Sequence, residues 1–524
     1  MRALLINPPT PPSFWTFREG CSIAGTKALL PPLGLITMAA LLPTAWELRL
    51  VDLNTRSLPP GDWEWADLVM ITGMLVHRAG LLALVREAKA RGKTVVAGGP
   101  YATSLPQEIL DAGADFLFRG EAEKTMPLFL AALEAGETQG IFQEDGKPEM
   151  SDSPVPRFDL LRLQDYTVMS IQTSRGCPYD CEFCDVVNLY GRKPRYKKPE
   201  QVLADLEALY RLGWWGEIFI SDDNFIGNRQ HALAILTQLI PWMKEHTEPF
   251  GFWTQASVNL GQDLELMDLM TTANFNHIFV GVESTDPEVL GLTRKYHNVR
   301  SPLAESLGNM NKNGLSVVAS FVLGFDGEKR GAGERIYEFV EALHIPIVMV
   351  NLLQALPNTS LWRRLQKEGR LLEEETCGDT GSLRMNYIPH RPEEEIREEF
   401  LRATERLYEP TAYLRRAYHY ILNTRPTRRA LGTDTPGEQA AARPPDLGPK
   451  SGKIKELPIL LRLIWRQGIR APYRWQFWRQ LVGVMQKNPS RKIRYLITCG
   501  LGEDMFAYHR RVREKLAFSQ PNRH

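Results

Sequence analysis

The first 140 residues alternate between short apolar runs and longer segments in which apolar residues recur at helical spacing. Each run is followed by glycine or polar residues, as buried parallel strands in α/β domains usually are. The five runs are RALLIN, ELRLVDL, DLVMITGM, TVVAGGP and DFLFRGE. This alternation predicts a doubly wound α/β domain over residues 1–140, with a ligand at the carboxyl ends of its strands.

A polar connector, roughly residues 136–157, contains three prolines and separates this domain from a second strand–helix series. The apolar runs of the second series are TVMSIQTS, EIFISDD, FGFWTQAS, HIFVGVES, LSVVASFVLGF and IPIVMVNLL. Six strand–helix units are too few for a closed eight-stranded barrel. We therefore expect an open, partial (βα)6 barrel over residues 158–390, with its active site at the carboxyl ends of the strands.

From residue 391 the pattern becomes helical and charged. Residues 391–424 predict a helical extension, and residues 453–524 predict a basic, aromatic helical tail. Between them, residues 425–452 are rich in proline, glycine and arginine, which is typical of a flexible linker. The expected fold class is thus α/β, with two α/β domains followed by a mostly helical C-terminal region.

Basic charge is concentrated in the C-terminal region. Residues 411–524 carry 23 Lys or Arg against 7 Asp or Glu, although the whole chain has a net charge of only +1. Two sets of residues alternate in the tail: Arg462, Arg466 and Arg470, which would share one helix face, and Trp465, Trp475 and Trp478. Arginine beside tryptophan favours peripheral contact with an anionic membrane. A helical packing domain with a solvated basic face is the alternative, and nucleic-acid binding is the least favoured reading.

The sequence also bears on cellular location. The opening residues MRALLINPP read as a strand and not as a secretory signal peptide. Six cysteines are few for this length, and three of them fall within eight residues, which indicates a reducing compartment and no disulfide scaffold. We expect a cytoplasmic protein, with any membrane contact at the inner face of the membrane.

The three clustered cysteines are Cys177, Cys181 and Cys184, in the stretch RGCPYDCEFCD directly after the first strand of the second series. Thiolates select zinc or iron–sulfur clusters. Three cysteines leave one position of a [4Fe–4S] cluster open to an outside ligand. The alternative is a zinc site completed by Cys21, Cys377 or a histidine, none of which lies at local spacing.

The spacing Cys-x3-Cys-x2-Cys after the first strand of a partial barrel resembles that of the radical S-adenosylmethionine enzymes. The resemblance implies a [4Fe–4S] cluster whose open iron chelates the methionine part of S-adenosylmethionine. It also implies an external electron donor, since one-electron reduction cleaves the sulfonium to a 5′-deoxyadenosyl radical. No catalytic side chain is assigned, because the cofactors carry the chemistry.

Further matches to this family lie at strand ends, in SDDN, TQAS, GVES and FVLGFDGE. The residues that the resemblance assigns to S-adenosylmethionine are Phe183, Ser221, Asp222, Asp223, Gln255, Ser257, Glu283, Val322 and Gly324. In this assignment Asp222 or Asp223 accepts hydrogen bonds from the methionine amino group, and Val322 and Gly324 lie beside the adenine. A cap or loop salt bridge is the competing role for Asp223 and Glu283.

The N-terminal domain resembles the cobalamin-binding domain that precedes the barrel in one group of these enzymes. The residues assigned to the cobalamin region are Asn7, Asp52, Asn54, Gly73, His77, Gly98, Gly99, Gly120 and Glu121. The motif Asp-x-His-x-x-Gly, whose histidine ligates cobalt, is absent, since Asn54 and Ser57 stand where His and Gly would be. His77 is the nearest candidate ligand, although a histidine in a loop is more often simply solvated.

Up to about residue 420 the chain resembles cobalamin-dependent radical enzymes of the hopanoid C-2 methylase type, which carry a C-terminal helical extension of unassigned function. The stretches that support this are FWTFREG, LLPPLGLITMAALLP, DDNFIGN, LLQALPNT and YEPTAYL. The resemblance implies a methyltransferase that acts on an unactivated carbon of an apolar, hopanoid-like lipid. It implies two uses of S-adenosylmethionine, one to methylate cobalt and one to make the radical. The alternatives are a radical oxidase or cyclase without methyl transfer, and a non-enzymatic cobalamin and cluster sensor.

Overall fold

The computed structural model describes residues 1–372, 384–432 and 452–519. Its first sheet consists of β1 (Arg2–Asn7), β2 (Glu47–Asp52), β3 (Leu68–Thr72), β4 (Thr94–Gly98), β5 (Phe116–Arg119) and β6 (Gly140–Gln143). All neighbours pair in parallel, in the order β2-β1-β3-β4-β5-β6. The doubly wound domain is confirmed, but β6 lies inside the predicted polar connector. Its four residues, GIFQ, are too short a run to stand out among polar neighbours.

Both faces of this sheet are buried, which explains why its strands read as continuous apolar runs. In β1, Leu5 belongs to one hydrophobic cluster, while Leu4 and Ile6 belong to another on the opposite face. Because successive side chains of a strand point to opposite faces, a sheet covered by helices on both sides selects apolar residues at every position.

The second half of the α/β region contains β7 (Met169–Ile171), β8 (Ser174–Arg175), β9 (Arg195–Tyr196), β10 (Gly216–Ile220), β11 (Phe250–Gln255), β12 (Phe275–Glu283), β13 (Ser316–Leu323) and β14 (Ile347–Leu352). Six of these form a parallel sheet in the order β14-β13-β12-β11-β10-β7, which confirms the partial barrel. Strands β8 and β9 form a separate antiparallel ribbon. The predicted first strand is therefore split between β7 and β8.

The helices of the two α/β domains are Arg18–Ala24, Leu33–Ala39, Pro60–Trp65, Arg78–Ala90, Pro100–Ser104, Pro106–Asp111, Ala122–Glu134, Val186–Tyr190, Pro199–Arg211, Arg229–Glu245, Leu264–Thr272, Pro287–Leu292, Tyr296–Arg300, Leu303–Lys312, Ala332–Leu343 and Ser360–Lys367. The C-terminal helices are Glu393–Leu407, Pro410–Asn423, Arg428–Leu431, Gly452–Leu463, Arg474–Lys487 and Lys492–Ser519, with a π-helix at Ile464–Arg470. The predicted mostly helical C-terminal region is confirmed. Most of the predicted linker, residues 433–451, lies outside the described residues.

The helix Pro410–Asn423 is docked on the barrel through a buried arginine. Its first turn is capped by Glu409, whose carboxylate accepts hydrogen bonds from the backbone of Thr411 and Ala412. Arg416 is fully buried and donates to the carbonyl of Ile345 (3.2 Å) and to the Glu341 carboxylate (2.7 Å). A buried guanidinium with such partners fixes the orientation of the helix, because any other packing would leave its charge unpaired.

The tail packs against the N-terminal domain through two of the arginines that were predicted to form an exposed basic face. Arg462 donates to the carbonyl of Ile23 at 3.0 Å, and Arg466 pairs with Glu19 at 2.7 Å. The carboxylate of Asp504 accepts from the backbone N–H groups at the start of the helix Arg18–Ala24. Arg462 stays exposed and Arg466 partly exposed, so these contacts tie the basic face of the tail to helix Arg18–Ala24 without burying it. In the described ranges we find no helix that is both long and apolar enough to cross a membrane.

Candidate active site

The cysteine loop is held at the carboxyl edge of the barrel by the β8–β9 ribbon. Ser174 pairs with Tyr196 and Arg175 with Arg195, so the residues between these strands form a closed loop. Gly176 opens this loop with a φ of 93°, and a Cβ atom there would lie 2.9 Å from the carbonyl oxygen of Gly191. Only glycine fits this position. The ribbon thus presents the three cysteines together, beside the end of β7.

Cys177, Cys181 and Cys184 are each partly exposed. Burial is the main cause that raises the pKa of each thiol, to about 11 for Cys177, so cluster assembly must displace protons from them. Within the described residues, no three His, Cys, Asp or Glu side chains are grouped as ligands of a single metal ion. The zinc alternative requires such a group. A [4Fe–4S] cluster does not, since each cysteine binds a different iron.

Two aspartates that were assigned to the methionine amino group support the cysteine loop instead. Asp222 is completely buried and accepts hydrogen bonds from the backbone N–H groups of Thr173 (2.7 Å) and Ser174 (3.0 Å) and from both of their hydroxyls. Its oxygens therefore all have protein partners, which disfavours contact with S-adenosylmethionine. Asp223 accepts from the N–H of Gly176 at 2.9 Å, and burial raises its pKa to about 6.

The ends of the next strands carry the other assigned residues. The hydroxyl of Ser221 donates to the carbonyl of Ile171 (3.0 Å), and the backbone N–H of Ser257 donates to the Asn224 side chain (3.1 Å). Gln255, at the end of β11, and Val322, on β13, are both partly exposed. Phe183 packs against Phe325, with ring centroids 5.4 Å apart.

Gly324 is covered by the segment that follows the barrel. Its N–H donates to Glu328 (3.1 Å), and its carbonyl accepts from the Tyr387 hydroxyl (2.6 Å). Its backbone polar groups thus have protein partners, which speaks against a direct role in binding adenine. A cavity of about 400 Å³ opens beside it and is lined by Phe183, Phe325 and Tyr387, among others. Charged side chains also line this cavity, among them Glu182, Arg294, Asp326 and Arg364.

Glu283 is paired with a lysine that sequence reasoning missed. Lys295 donates to Glu283 at 2.7 Å, and both side chains are at most 10% exposed. Burial opposes the charge of Lys295, but Glu283 and the Cys181 thiol more than offset it, so the lysine pKa is raised. A buried ammonium group therefore lies beside the cysteine loop, 5.7 Å from the ring centroid of Phe183. The ammonium has three donors, of which Glu283 takes one, so it suits a carboxylate bound at the open iron.

At the carboxyl edge of the first sheet, the polar residues assigned to the cobalamin region form a network among themselves. Asp52 accepts from Asn7 (2.9 Å) and Asn54 (2.7 Å), and it also accepts from Tyr166 (2.9 Å), which precedes the barrel. Asn54 in turn accepts from the backbone of Thr10 (2.7 Å). These residues shape the edge and join it to the barrel.

His77 has protein partners at both ring nitrogens. Its Nδ1 accepts from the backbone N–H of Met74 (3.1 Å), so the neutral ring carries its proton on Nε2, which lies 3.0 Å from the Thr10 hydroxyl. Burial lowers the pKa of His77 and favours this neutral form. Both ring nitrogens thus have protein partners, which disfavours His77 as a cobalt ligand.

The glycines of this edge let neighbouring strand ends approach one another closely, and Gly73 is itself buried. Gly99 follows β4 with a φ of 91°, and a Cβ atom there would lie 2.3 Å from the Thr72 hydroxyl. Gly73 and Gly98 also lie at strand ends, and the side chain of Met74 is exposed between them and His77. Helix Pro100–Ser104 contacts helix Val186–Tyr190 of the cysteine loop, so this edge faces the cluster site.

Glu121, also assigned to the cobalamin region, instead joins the two domains. Its carboxylate accepts from Arg195 at 2.6 and 3.0 Å and from Arg175 at 2.6 Å, while Arg175 also pairs with Glu123 at 2.9 Å. All four side chains are at most 11% exposed. Gly120 precedes this group and is packed against Glu144, which disfavours contact of Gly120 or Glu121 with cobalamin. We call Glu121, Glu123, Arg175 and Arg195 the interdomain clamp.

The arginines of the interdomain clamp are hard to recognise from the sequence. Arg175 and Arg195 flank the cysteine loop, in SRGC and KPRY, whereas their carboxylate partners lie more than fifty residues away in RGEAE. Arg364 was also missed. It pairs with Glu182, between the second and third cysteines, at 2.5 Å, and with Asp326 at 2.8 Å.

Comparison with known proteins agrees with this arrangement. Residues 23–130 match the B12 binding domain family, residues 171–340 match the radical SAM superfamily, and residues 359–517 match a domain of unknown function. The last match treats the helical extension and the tail as one unit.

Relatives cover nearly the whole chain. An uncharacterized methyltransferase of Synechocystis sp. is 46% identical over 98% of this chain and 93% of its own length. The hopanoid C-2 methylase of Rhodopseudomonas palustris is 35% identical over 91% of this chain and 88% of its own.

A solved structure shares the fold. The cobalamin-dependent S-adenosylmethionine radical enzyme OxsB, determined with aqua-cobalamin and S-adenosylmethionine, has a TM-score of 0.59 at 13% identity and covers 100% of this chain and 82% of its own. The chain therefore belongs to the cobalamin-dependent radical S-adenosylmethionine methyltransferase family that includes hopanoid C-2 methylase, and its cofactors are a [4Fe–4S] cluster, S-adenosylmethionine and cobalamin.

Proposed function

We propose that this protein methylates an unactivated carbon of an apolar, hopanoid-like lipid. The observation that carries the proposal is the 35% identity to the hopanoid C-2 methylase over 91% of the chain. The cluster and cobalamin, when bound, supply a 5′-deoxyadenosyl radical and a transferable methyl group. In this proposal Cys177, Cys181 and Cys184 bind the cluster, Lys295 and Phe183 orient S-adenosylmethionine, and the edge of the first sheet where Gly73, Gly98 and Gly99 lie accepts cobalamin.

The barrel interior supports an apolar substrate. Phe219 and Trp253 lie side by side on β10 and β11, with ring centroids 5.4 Å apart, and His277 follows on β12. Burial lowers the pKa of His277 to about 3, so this ring is uncharged at neutral pH. Trp15, from the N-terminal segment, packs on Phe279 at 5.1 Å. Such rings offer large apolar contact area and exclude water from a radical reaction.

A label-transfer experiment tests the proposed reaction. The holoenzyme is incubated without oxygen with a reductant, a hopanoid extract and S-adenosylmethionine labelled in the methyl group, and products are identified by mass spectrometry. We expect labelled lipid together with 5′-deoxyadenosine. Deoxyadenosine without a methylated product would contradict methyl transfer and favour the oxidase or cyclase. No cleavage of S-adenosylmethionine would favour the sensor.

We also propose that the tail holds the protein at the surface of an anionic membrane, where an apolar lipid is available. Leu457, Leu461, Trp465 and Ile469 recur every four residues and are 52–58% exposed, and Trp475 is 74% exposed. Arg470, Arg474 and Arg479 are exposed close to them in sequence. Exposed apolar side chains beside arginines match the interfacial region of a bilayer with acidic headgroups.

Replacing Trp465 and Trp475 together with glutamate should weaken binding to phosphatidylglycerol vesicles about tenfold, since it removes two interfacial rings and adds repelled charge. Co-sedimentation measures the effect. The matched control is Leu264→Glu, at a 60% exposed leucine outside the tail, which should leave vesicle binding unchanged. Vesicle binding that is equal for the double variant and the parent would refute this surface.

A further inference from the structure

Two short helices lie directly against the outer side of the cysteine loop. The backbone N–H of Glu182, the residue after Cys181, donates to the carbonyl of Thr293 at 3.0 Å, just beyond the helix Pro287–Leu292. On the neighbouring helix Tyr296–Arg300, the ring of His297 stacks on Tyr179 with centroids 3.8 Å apart. The surface of these helices is therefore continuous with the loop that binds the cluster.

This surface combines exposed apolar groups with an excess of positive charge. Its apolar members are Leu292, Tyr296 and Val299, which are 60%, 52% and 43% exposed. Its basic members are Arg192, Lys193, Arg294 and Arg300, all exposed. We call these seven residues the cluster-side patch.

The carboxylates near the patch are shared with basic groups. Glu288, on helix Pro287–Leu292, is exposed and pairs with Lys329 at 2.8 Å, and Asp326, which lines the same cavity as Arg294, pairs with Arg364 and Arg370. Asp180 lies 3.8 Å from Arg192 and 3.6 Å from Arg294, and both arginines remain 61% and 49% exposed. Glu182 is buried and paired with Arg364. The single carboxylate of Asp180 thus pairs with two guanidinium groups, and both arginines keep N–H donors that face solvent.

We propose that the cluster-side patch is the docking surface for an acidic one-electron carrier protein that holds a flavin or an iron–sulfur centre. The enzyme must take up one electron from outside for each cleavage of S-adenosylmethionine. In this step the carrier loses one electron, the oxidised cluster gains it, and no bond is made or broken. A basic patch with an apolar centre selects an acidic partner and speeds the encounter, and its position beside Cys181 brings the two redox centres close together.

Charge complementarity indicates which kind of partner binds the cluster-side patch. A carrier with an acidic surface is attracted by Arg192, Lys193, Arg294 and Arg300, and Leu292 and Tyr296 supply the apolar contact that holds the complex. An anionic membrane is attracted by the same charges but delivers no electron. A small chemical reductant needs neither the charges nor the apolar contact.

Charge reversal tests the proposal on the holoenzyme. The variant Arg192→Glu/Arg294→Glu is mixed with the hydroquinone of an acidic flavodoxin, and reduction of the cluster is followed by its absorbance and by electron paramagnetic resonance. We expect the second-order rate constant to fall about tenfold to a hundredfold at low salt, and its salt dependence to flatten. Reduction by dithionite should stay at the parental rate. Binding of the oxidised flavodoxin to the enzyme, measured by calorimetry, should weaken in parallel.

The control makes the same change of net charge elsewhere. Arg211 and Arg402 are 74% and 70% exposed and lie outside the patch. Flavodoxin should therefore reduce the cluster of Arg211→Glu/Arg402→Glu at close to the parental rate, apart from a small effect of the changed net charge. An equal loss in both double variants, or no loss in either, overturns the proposal. If charge reversal also slows reduction by dithionite, the milder variant Arg192→Gln/Arg294→Gln is used instead. We expect an intermediate loss in its rate of reduction by flavodoxin, and an unchanged rate would contradict the proposal. No lipid enters this measurement, so its outcome does not depend on the proposed methyl transfer.

Discussion

Cys181→Ala is expected to reduce cleavage of S-adenosylmethionine to the level seen without reductant. With two of three cysteines left, one iron of the cluster loses its protein ligand, and the iron that binds the methionine group is no longer distinguished from it. The change is small for the fold, because Cys181 lies on a loop and is only partly buried. Iron content and deoxyadenosine formation are the two measurements, and both should fall.

Cys21→Ala is the matched control for this variant. Cys21 is a buried thiol in helix Arg18–Ala24, and it was one candidate for a fourth ligand of a zinc site. Its thiol is 3.4 Å from the Thr167 hydroxyl, away from the cysteine loop. We expect full iron content and cleavage in this variant. If Cys181→Ala retains cleavage, or Cys21→Ala loses iron, the cluster assignment is wrong.

Glu121→Gln is expected to lower the free energy of unfolding by about 3 kcal/mol, because it leaves the buried charges of Arg175 and Arg195 short of a carboxylate. Denaturant unfolding measures the change. The same variant should also yield less methylated product for each deoxyadenosine formed. The interdomain clamp joins the edge of the first sheet to the ribbon that carries the cysteine loop, so loosening it changes how the two cofactor sites face each other.

Two further variants, a double variant of the clamp and a control at an exposed ion pair, test whether the effect belongs to the interdomain clamp. In Glu121→Gln/Arg195→Gln the unpaired charge of Arg195 is removed as well, so its cost should be smaller than the sum of the two single costs. The control is Glu87→Gln, which breaks the exposed pair of Glu87 with Arg91 and should cost less than about 1 kcal/mol. A clamp variant as stable as the parent would show that the carboxylate of Glu121 contributes nothing to the interdomain contact.

The fold was predicted from local patterns of hydrophobic and polar residues. Strands buried on both faces appear as apolar runs, so five strands of the first sheet and six of the second were predicted, whereas the four-residue β6 and the two-residue β9 were missed. The spacing of Cys177, Cys181 and Cys184 predicted a ligand site with one open position, because all three ligands come from one short loop, and the family resemblance implied its chemistry.

Individual site residues were predicted less well, for a physical reason. Asp222 ends β10 as expected, but a buried carboxylate must be satisfied, and the nearest free donors are the N–H groups of Thr173 and Ser174. His77 lies in the expected loop, but its two nitrogens are taken by Met74 and Thr10. A sequence pattern predicts that a residue lies at a strand end, but it does not predict which hydrogen-bond partners that residue will have.

The order of the two α/β domains, the helical C-terminal region and the cysteine loop could all be read from the chain alone, since each depends on periodicity or on ligands that are near in the chain. How these parts meet became visible only in the folded protein. There Glu121 pairs with Arg195, Lys295 is buried beside Cys181, and Arg462 and Arg466 bind groups of helix Arg18–Ala24. Such contacts depend on which charged groups are desolvated together on folding, and that is a property of the packed chain and not of any local pattern.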